Sequence, residues 1–200
     1  MQIIVFIGDS ITEGAADHER GGWTRRLAAT LPDGWEAVHA GVGGDTIFHI
    51  LARLEQDALM YQPDILVLAV GINDSRRYTA GRYEVKLENF ERGLAEFASR
   101  MAGHATRKAT RILIVGLTPV DEPRTLPIAE DLHYTQIAAS DYDAALRRFA
   151  AQQGYGYVAL MPAFEQAGGA ARLTSDGLHP TPAGHALIAE VVRAQLESWL

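Results

Sequence analysis

The sequence predicts a three-layer α/β/α sandwich built on a five-stranded parallel sheet in flavodoxin-like order. Three observations carry this reading. Short, β-branched apolar runs recur at wide intervals along the chain. Between them, apolar residues return at helical spacing. The runs are also nearly continuous in their apolar character, as strands covered on both faces are. Strands alternating with helices imply a parallel sheet with helices packed on both sides.

The elements follow in order. Ile3–Ile7 is the first strand, and Gly8-Asp9-Ser10 stands at its end. Glu36–His39 is the second, followed by Gly41-Val42-Gly43-Gly44-Asp45-Thr46. A helix then places Ile47, Ile50, Leu51, Leu54 and Ala58 on one face, with Asp45 as its cap. Ile65–Val70 is the third strand and leads into Gly71-Ile72-Asn73-Asp74. The next helix aligns Leu87, Phe90, Leu94, Phe97 and Met101. Ile112–Val115 is the fourth strand. The stretch Thr118–Thr135 has no periodicity, holds three of the eight prolines, and reads either as a functional loop or as a solvated excursion. A helix with Asp141 as its start signal groups Tyr142, Ala145, Leu146, Phe149 and Ala150. Tyr157–Leu160 is the fifth strand. Asp176-Gly177-Leu178-His179-Pro180 comes next, and a helix from about Pro182 to Trp199 closes the chain, with Pro182 in its first turn.

Two hundred residues, 48% of them hydrophobic, form a single domain over 1–200 with a core large enough to fold without staples. The absence of cysteine excludes disulfides, a thiol nucleophile and zinc–thiolate sites. A net charge of −7 argues against nucleic acid as a partner, because phosphate binding needs a basic face. No apolar stretch approaches the roughly 20 residues of a membrane span. No basic segment with an apolar run precedes the first strand, so a cytoplasmic location is expected. Oligomeric state has no signature in the sequence.

In open parallel sheets, ligands bind beyond the carboxyl ends of the strands, and the chemically loaded segments all fall there. Ser10 is a candidate nucleophile; the alternative is a turn or cap, and the Gly-x-Ser-x-Gly elbow is absent. His179 is a candidate base. The Asp176-x-x-His179 spacing lets a carboxylate reach Nδ1–H, fixing the tautomer that leaves Nε2 free to take a proton. Glu130-x-x-His133 has the same spacing but follows no strand end. His185 falls in the final helix, where packing accounts for it. The two Gly-rich segments supply candidate oxyanion donors, namely the Gly44 N–H and the Asn73 side chain. The bland reading is that these glycines permit a turn and that Asn73 caps one.

These blocks resemble the SGNH (GDSL-type) hydrolase family. Gly8-Asp9-Ser10 is similar to its nucleophile block, Gly44 to its glycine block, Gly71-Ile72-Asn73-Asp74 to its Gly-x-Asn-Asp block, and Asp176-x-x-His179 to its final block. Together they span almost the whole chain. The resemblance implies ester hydrolysis with no cofactor and no metal. Ser10 would be nucleophile, His179 base and Asp176 its partner, with Ser10 N–H, Gly44 N–H and Asn73 as the oxyanion hole. Ile11 stands where the family name has leucine, and His39 where many members have asparagine.

The expected substrate is a small ester with a short acyl chain, such as acetyl, on a sugar or another alcohol. Thioesterase and lysophospholipase activities are the alternatives within the family. Asp9, Trp23, Phe48, Tyr78 and Tyr134 are candidate substrate contacts because they lie near strand-end loops. Two readings from other classes compete: a flavin- or phosphate-binding module using Gly8–Thr12, and a metal-dependent phosphoesterase using Asp9, Asp45, Asp74, Asp176 and His179.

Overall fold

The computed structural model describes residues 1–104 and 110–200. In chain order its elements are β1 (Gln2–Gly8), α1 (Ser10–Glu13), α2 (Gly22–Ala28), β2 (Trp35–Gly41), α3 (Ile47–Asp57), β3 (Ile65–Ala69), β4 (Arg77–Tyr78), α4 (Leu87–Gly103), β5 (Arg111–Val115), α5 (Glu122–Thr125), β6 (Leu132–His133), α6 (Gln136–Gln153), β7 (Gly156–Val158), α7 (Leu160–Gln166), α8 (Gly169–Leu173) and α9 (Pro182–Leu196). The main sheet has five parallel strands in the order β2-β1-β3-β5-β7. This is the predicted doubly wound arrangement. A separate antiparallel ribbon pairs β4 with β6.

Alternation along the strands divides the core into two layers. Val5, Ile7, Leu66, Leu68, Ile112 and Ile114 face one side, where they meet the apolar faces of α3, α4 and α6. Ile4, Phe6, Ile65, Val67, Leu113 and Val115 face the other, against Trp23, Leu27, Phe164, Ile188, Val192 and Leu196. Ile50 and Leu54 on α3, Phe90 and Phe97 on α4 and Leu146 on α6 are fully buried. Each such side chain contributes about 1.5–3 kcal/mol of transfer free energy.

Several local expectations change. The helix after Thr118–Thr135 starts at Gln136, capped by the Thr135 hydroxyl, which accepts from Ala138 N at 3.1 Å. Asp141 is therefore interior to α6 and caps nothing. The fifth strand stops at Val158, and Leu160 opens α7. The segment carrying Asp176 and His179 does not follow that strand directly, because α7 and α8 intervene. The final helix ends at Leu196, before Trp199. Thr118–Thr135 is not wholly irregular, since it contains α5 and β6.

Candidate active site

Three parallel strands end level with one another. Gly8 of β1 stands opposite Gly41 of β2 on one side and Ala69 of β3 on the other. The segments bearing Ser10, Gly44 and Asn73 therefore leave the sheet from one row. The chain passes from β1 outward to β2 and back to β3, so the strand order reverses at β1. Open α/β sheets form their ligand crevice at such a reversal.

Ser10 opens α1, so its N–H has no carbonyl one turn earlier within that helix. Asp9 is the N-cap, with Oδ1 accepting from Ile11 N at 3.0 Å. Burial pushes the Asp9 carboxyl up to about 7, against the opposing pull of the Ile11 N–H and of His179. Gly41 is required by space: a Cβ there would lie 2.2 Å from Glu13 N, so the end of β2 packs on α1 backbone to backbone. Gly44 is required by conformation. Its φ is +84°, while the position of a Cβ is open. Among the described residues, neither Ser10 N–H nor Gly44 N–H donates to a protein acceptor.

The opposite wall is the segment between α8 and α9. Ser175 N donates to His179 O at 2.8 Å, closing the loop. Thr181 then caps α9, accepting from Gly184 N at 3.2 Å, with Pro182 at the start of the helix. Within this loop Asp176 Oδ1 accepts from Leu178 N at 2.9 Å and from His179 N at 2.7 Å. Asp176 Oδ2 accepts from His179 Nδ1 at 2.6 Å. Partial burial alone would raise the Asp176 carboxyl, but the bonds from the His179 ring and the two backbone N–H groups outweigh it and hold the group below its ordinary value. With Nδ1 carrying the proton, His179 Nε2 accepts from the Ser10 hydroxyl at 3.1 Å. Residues from the two ends of the chain thus form one hydrogen-bonded line.

Asn73 is buried beside β3. Its Nδ2 donates to Asp45 O at 3.1 Å and its Oδ1 accepts from Tyr134 Oη at 3.0 Å. The amide has two N–H bonds, so a second donor remains after the bond to Asp45. The neighbouring Asp74 carboxylate accepts from Ile47 N at 3.0 and 3.3 Å, which ties this loop to the start of α3.

Asp45 does not cap α3. Thr46 is the N-cap, in a reciprocal capping arrangement with His49. The Asp45 carboxylate instead pairs with Arg53 at 2.7 Å, and the same guanidinium donates to Gly8 O at 3.0 Å and Ala40 O at 2.8 Å.

The proposed substrate contacts scatter. Trp23 is 1% exposed and edge-on to Phe6, so it belongs to the core beneath the site. Phe48 is 41% exposed on α3. Tyr78 sits on the β4–β6 ribbon, bonded to Glu84 and covered by the Arg82 guanidinium 4.1 Å from its ring centre. Tyr134 is buried and spends its hydroxyl on Asn73. The rival histidines have other tasks. His133 pairs with Thr79 Oγ1 at 3.0 Å. Buried His185 accepts from Trp23 N at 3.3 Å and donates to Ala15 O at 2.8 Å. Among the described residues, no group of three or more His, Asp or Glu side chains is arranged to hold a metal ion. Arg53, Tyr134 as a partner of Asn73, and Arg124 (below) escaped sequence reasoning. Each acts through long-range contacts that leave no spacing signal.

Fold and comparisons together define a carboxylic ester hydrolase. Residues 6–187 match the profile of the GDSL-like Lipase/Acylhydrolase family, and the chain belongs to that family. It is 26% identical to Esterase TesA of Pseudomonas aeruginosa over 204 residues, covering 100% of this chain and 90% of that protein. The fold is similar to that of a lipase/acylhydrolase from Enterococcus faecalis, with a TM-score of 0.81 and 21% identity over 100% of this chain and 97% of that one. It is also similar to an acetylxylan esterase from Geobacillus stearothermophilus, with a TM-score of 0.77 and 21% identity over 98% and 94% of the two chains.

Proposed function

We propose that this ester hydrolase works through a Ser10–His179–Asp176 triad on short acyl esters, with an acetylated sugar as the favoured substrate class. The observation that carries the mechanism is the line from Ser10 Oγ through the His179 ring to Asp176, with bonds of 3.1 and 2.6 Å. In this reading His179 Nε2 takes the hydroxyl proton as Ser10 Oγ attacks the ester carbonyl. Ser10 N–H, Gly44 N–H and the second Asn73 N–H receive the oxyanion. The imidazolium, stabilised by Asp176, returns the proton to the leaving alcohol. Water, deprotonated by the same ring, then adds to the acyl-enzyme and releases the acid and free Ser10.

The short-chain preference rests on the likeness in fold to the acetylxylan esterase, an esterase of acetylated sugar polymers. Labelling with a fluorophosphonate, followed by peptide mass spectrometry, tests the nucleophile: modification of wild type at Ser10 and none of Ser10→Ala is expected. A p-nitrophenyl ester series tests the chain length, with kcat/KM expected to fall steadily from acetate to octanoate.

A further inference from the structure

Arg124 stands outside every motif, yet it makes the densest set of polar contacts with the segment leading to Asp176. It belongs to α5, within the stretch Thr118–Thr135. Its Nη1 donates to Thr174 O and Ser175 O, both at 3.1 Å. Its Nη2 reaches Ala170 O and Ala171 O at 3.2 Å and Thr174 Oγ1 at 2.8 Å. Its Nε is bonded to Asp121 Oδ2, which fixes the plane of the guanidinium. All five N–H bonds are therefore engaged. The carbonyls it gathers run from the last turn of α8, where Ala170 O also accepts from Thr174 N at 2.9 Å, into the loop, and the last of them belongs to the residue before Asp176. The same stretch of chain makes one more contact with the loop, from Asp121 N to Gly177 O at 2.8 Å.

We propose that Arg124 is a positioning residue that holds the Asp176–His179 loop in register with Ser10. This rests on the triad reading above. Within the loop, Ser175 N donates to His179 O and Asp176 Oδ1 accepts from Leu178 N and His179 N, while Thr181 N donates back to Leu173 O at 2.8 Å. These fix its internal shape but not its placement over the sheet. Placement needs an external anchor, and the guanidinium grips the loop where it leaves α8. A lysine would carry the charge but only three donors on a flexible stem, and no planar fork. Displacement of reacting groups by about 1 Å costs up to roughly 100-fold in rate.

The test compares Arg124→Lys and the milder Asp121→Asn, each made in wild type and in Asp176→Asn. Hydrolysis of p-nitrophenyl acetate and thermal unfolding are the readouts. In the wild-type background, Arg124→Lys is expected to lower kcat by about 10- to 100-fold with little change in KM, and Asp121→Asn by less. In Asp176→Asn, neither substitution should lower kcat further, because the His179 ring, with its proton on Nε2, cannot take one from Ser10 wherever the loop is placed. Equal losses in both backgrounds, a change confined to KM, or an unchanged kcat would each overturn the proposal. If Arg124→Lys does not fold, Asp121→Asn decides on the same criteria. A wild-type rate for Asp176→Asn alone would instead sink the triad reading, and the role of Arg124 with it.

Discussion

The Tyr134 hydroxyl donates to Asn73 Oδ1 at 3.0 Å, and both residues are almost wholly buried. This bond decides which way the amide faces. With Oδ1 turned to the phenol, Nδ2 is directed to Asp45 O, in the segment that also carries Gly44. Burial pushes the phenol up to about 12, so it stays a donor throughout the neutral range.

Removing this donor should be felt in kcat. Asn73→Ala deletes the proposed oxyanion donor and is expected to cost about 10²–10³ in kcat. Tyr134→Phe keeps the amide but frees its orientation, and leaves Oδ1 without its partner. A loss of about 10-fold is expected, together with about 1–3 kcal/mol of stability. Steady-state kinetics and urea unfolding check both. A larger rate loss in Tyr134→Phe than in Asn73→Ala would mean that the phenol acts directly on substrate.

Asp176→Asn should separate fold from chemistry. The Oδ1 bonds to Leu178 N and His179 N survive in the amide, so the loop keeps its shape. The amide nitrogen, facing His179 Nδ1, now donates instead of accepting. The ring then carries its proton on Nε2, where it can no longer receive one from Ser10. A fall of about 10⁴ in kcat is expected with little change in unfolding temperature. Retained activity with lost stability would reverse the assignment.

Arg53 is expected to matter for stability. Its side chain is 16% exposed, and its guanidinium joins the Asp45 carboxylate to the carbonyls of Gly8 and Ala40, at the ends of β1 and β2. Arg53→Ala strands a mostly buried carboxylate and takes a donor from two strand-end carbonyls, of which Gly8 O keeps its bond from Val42 N. About 3–5 kcal/mol should be lost in chemical denaturation. Arg53→Met, with a similar stem, should recover little, because the lost groups are the donors.

The parts of this fold that were legible in the sequence are those governed by period. The apolar faces of α3, α4 and α6 and the continuous runs of β1, β3 and β5 repeat often enough to stand out. Short elements do not: α2, α7 and α8 are too brief for a period, and β4 and β6 hold two residues each. Local chemistry also leaves ties that only tertiary contact resolves. Asp45 and Thr46 are both good caps, and the choice fell to Thr46 because Arg53 claims the Asp45 carboxylate. The meeting of Ser10, Asp176 and His179 was legible in part: the i,i+3 spacing brings the Asp176 carboxylate to His179 Nδ1 and Ser10 stands at the end of β1, whereas α7 and α8, which separate the Asp176 loop from β7, left no signal. Tyr134 and Arg124 were not legible, since an exposed-loop tyrosine and arginine look the same as buried, fully bonded ones until the chain is folded.

Asp74 should make the protein less stable as pH rises through neutrality. Its side chain is buried beside the N-terminus of α3, and burial pushes the carboxyl from 3.8 up to about 7, with only partial relief from the Ile47 N–H. The folded pKa therefore lies above the unfolded one. Between the two values the native protein holds a proton that the unfolded chain has released. The contribution of the neutral carboxyl is complete below about 4 and is lost as pH climbs through about 7. Asp74→Asn stays neutral and keeps an oxygen to accept from Ile47 N. It also removes a charge that disfavours ionisation of Asp9, the other carboxyl pushed up to about 7. Both effects have the same sign. Calorimetry at about pH 5 and about pH 8 should show the unfolding temperature of Asp74→Asn, relative to wild type, to be higher at the alkaline value by several degrees. A difference that stays constant with pH, or that shrinks as pH rises, would mean that Asp74 is ionised in the native state across this range and that its bonds to Ile47 N fully offset its burial.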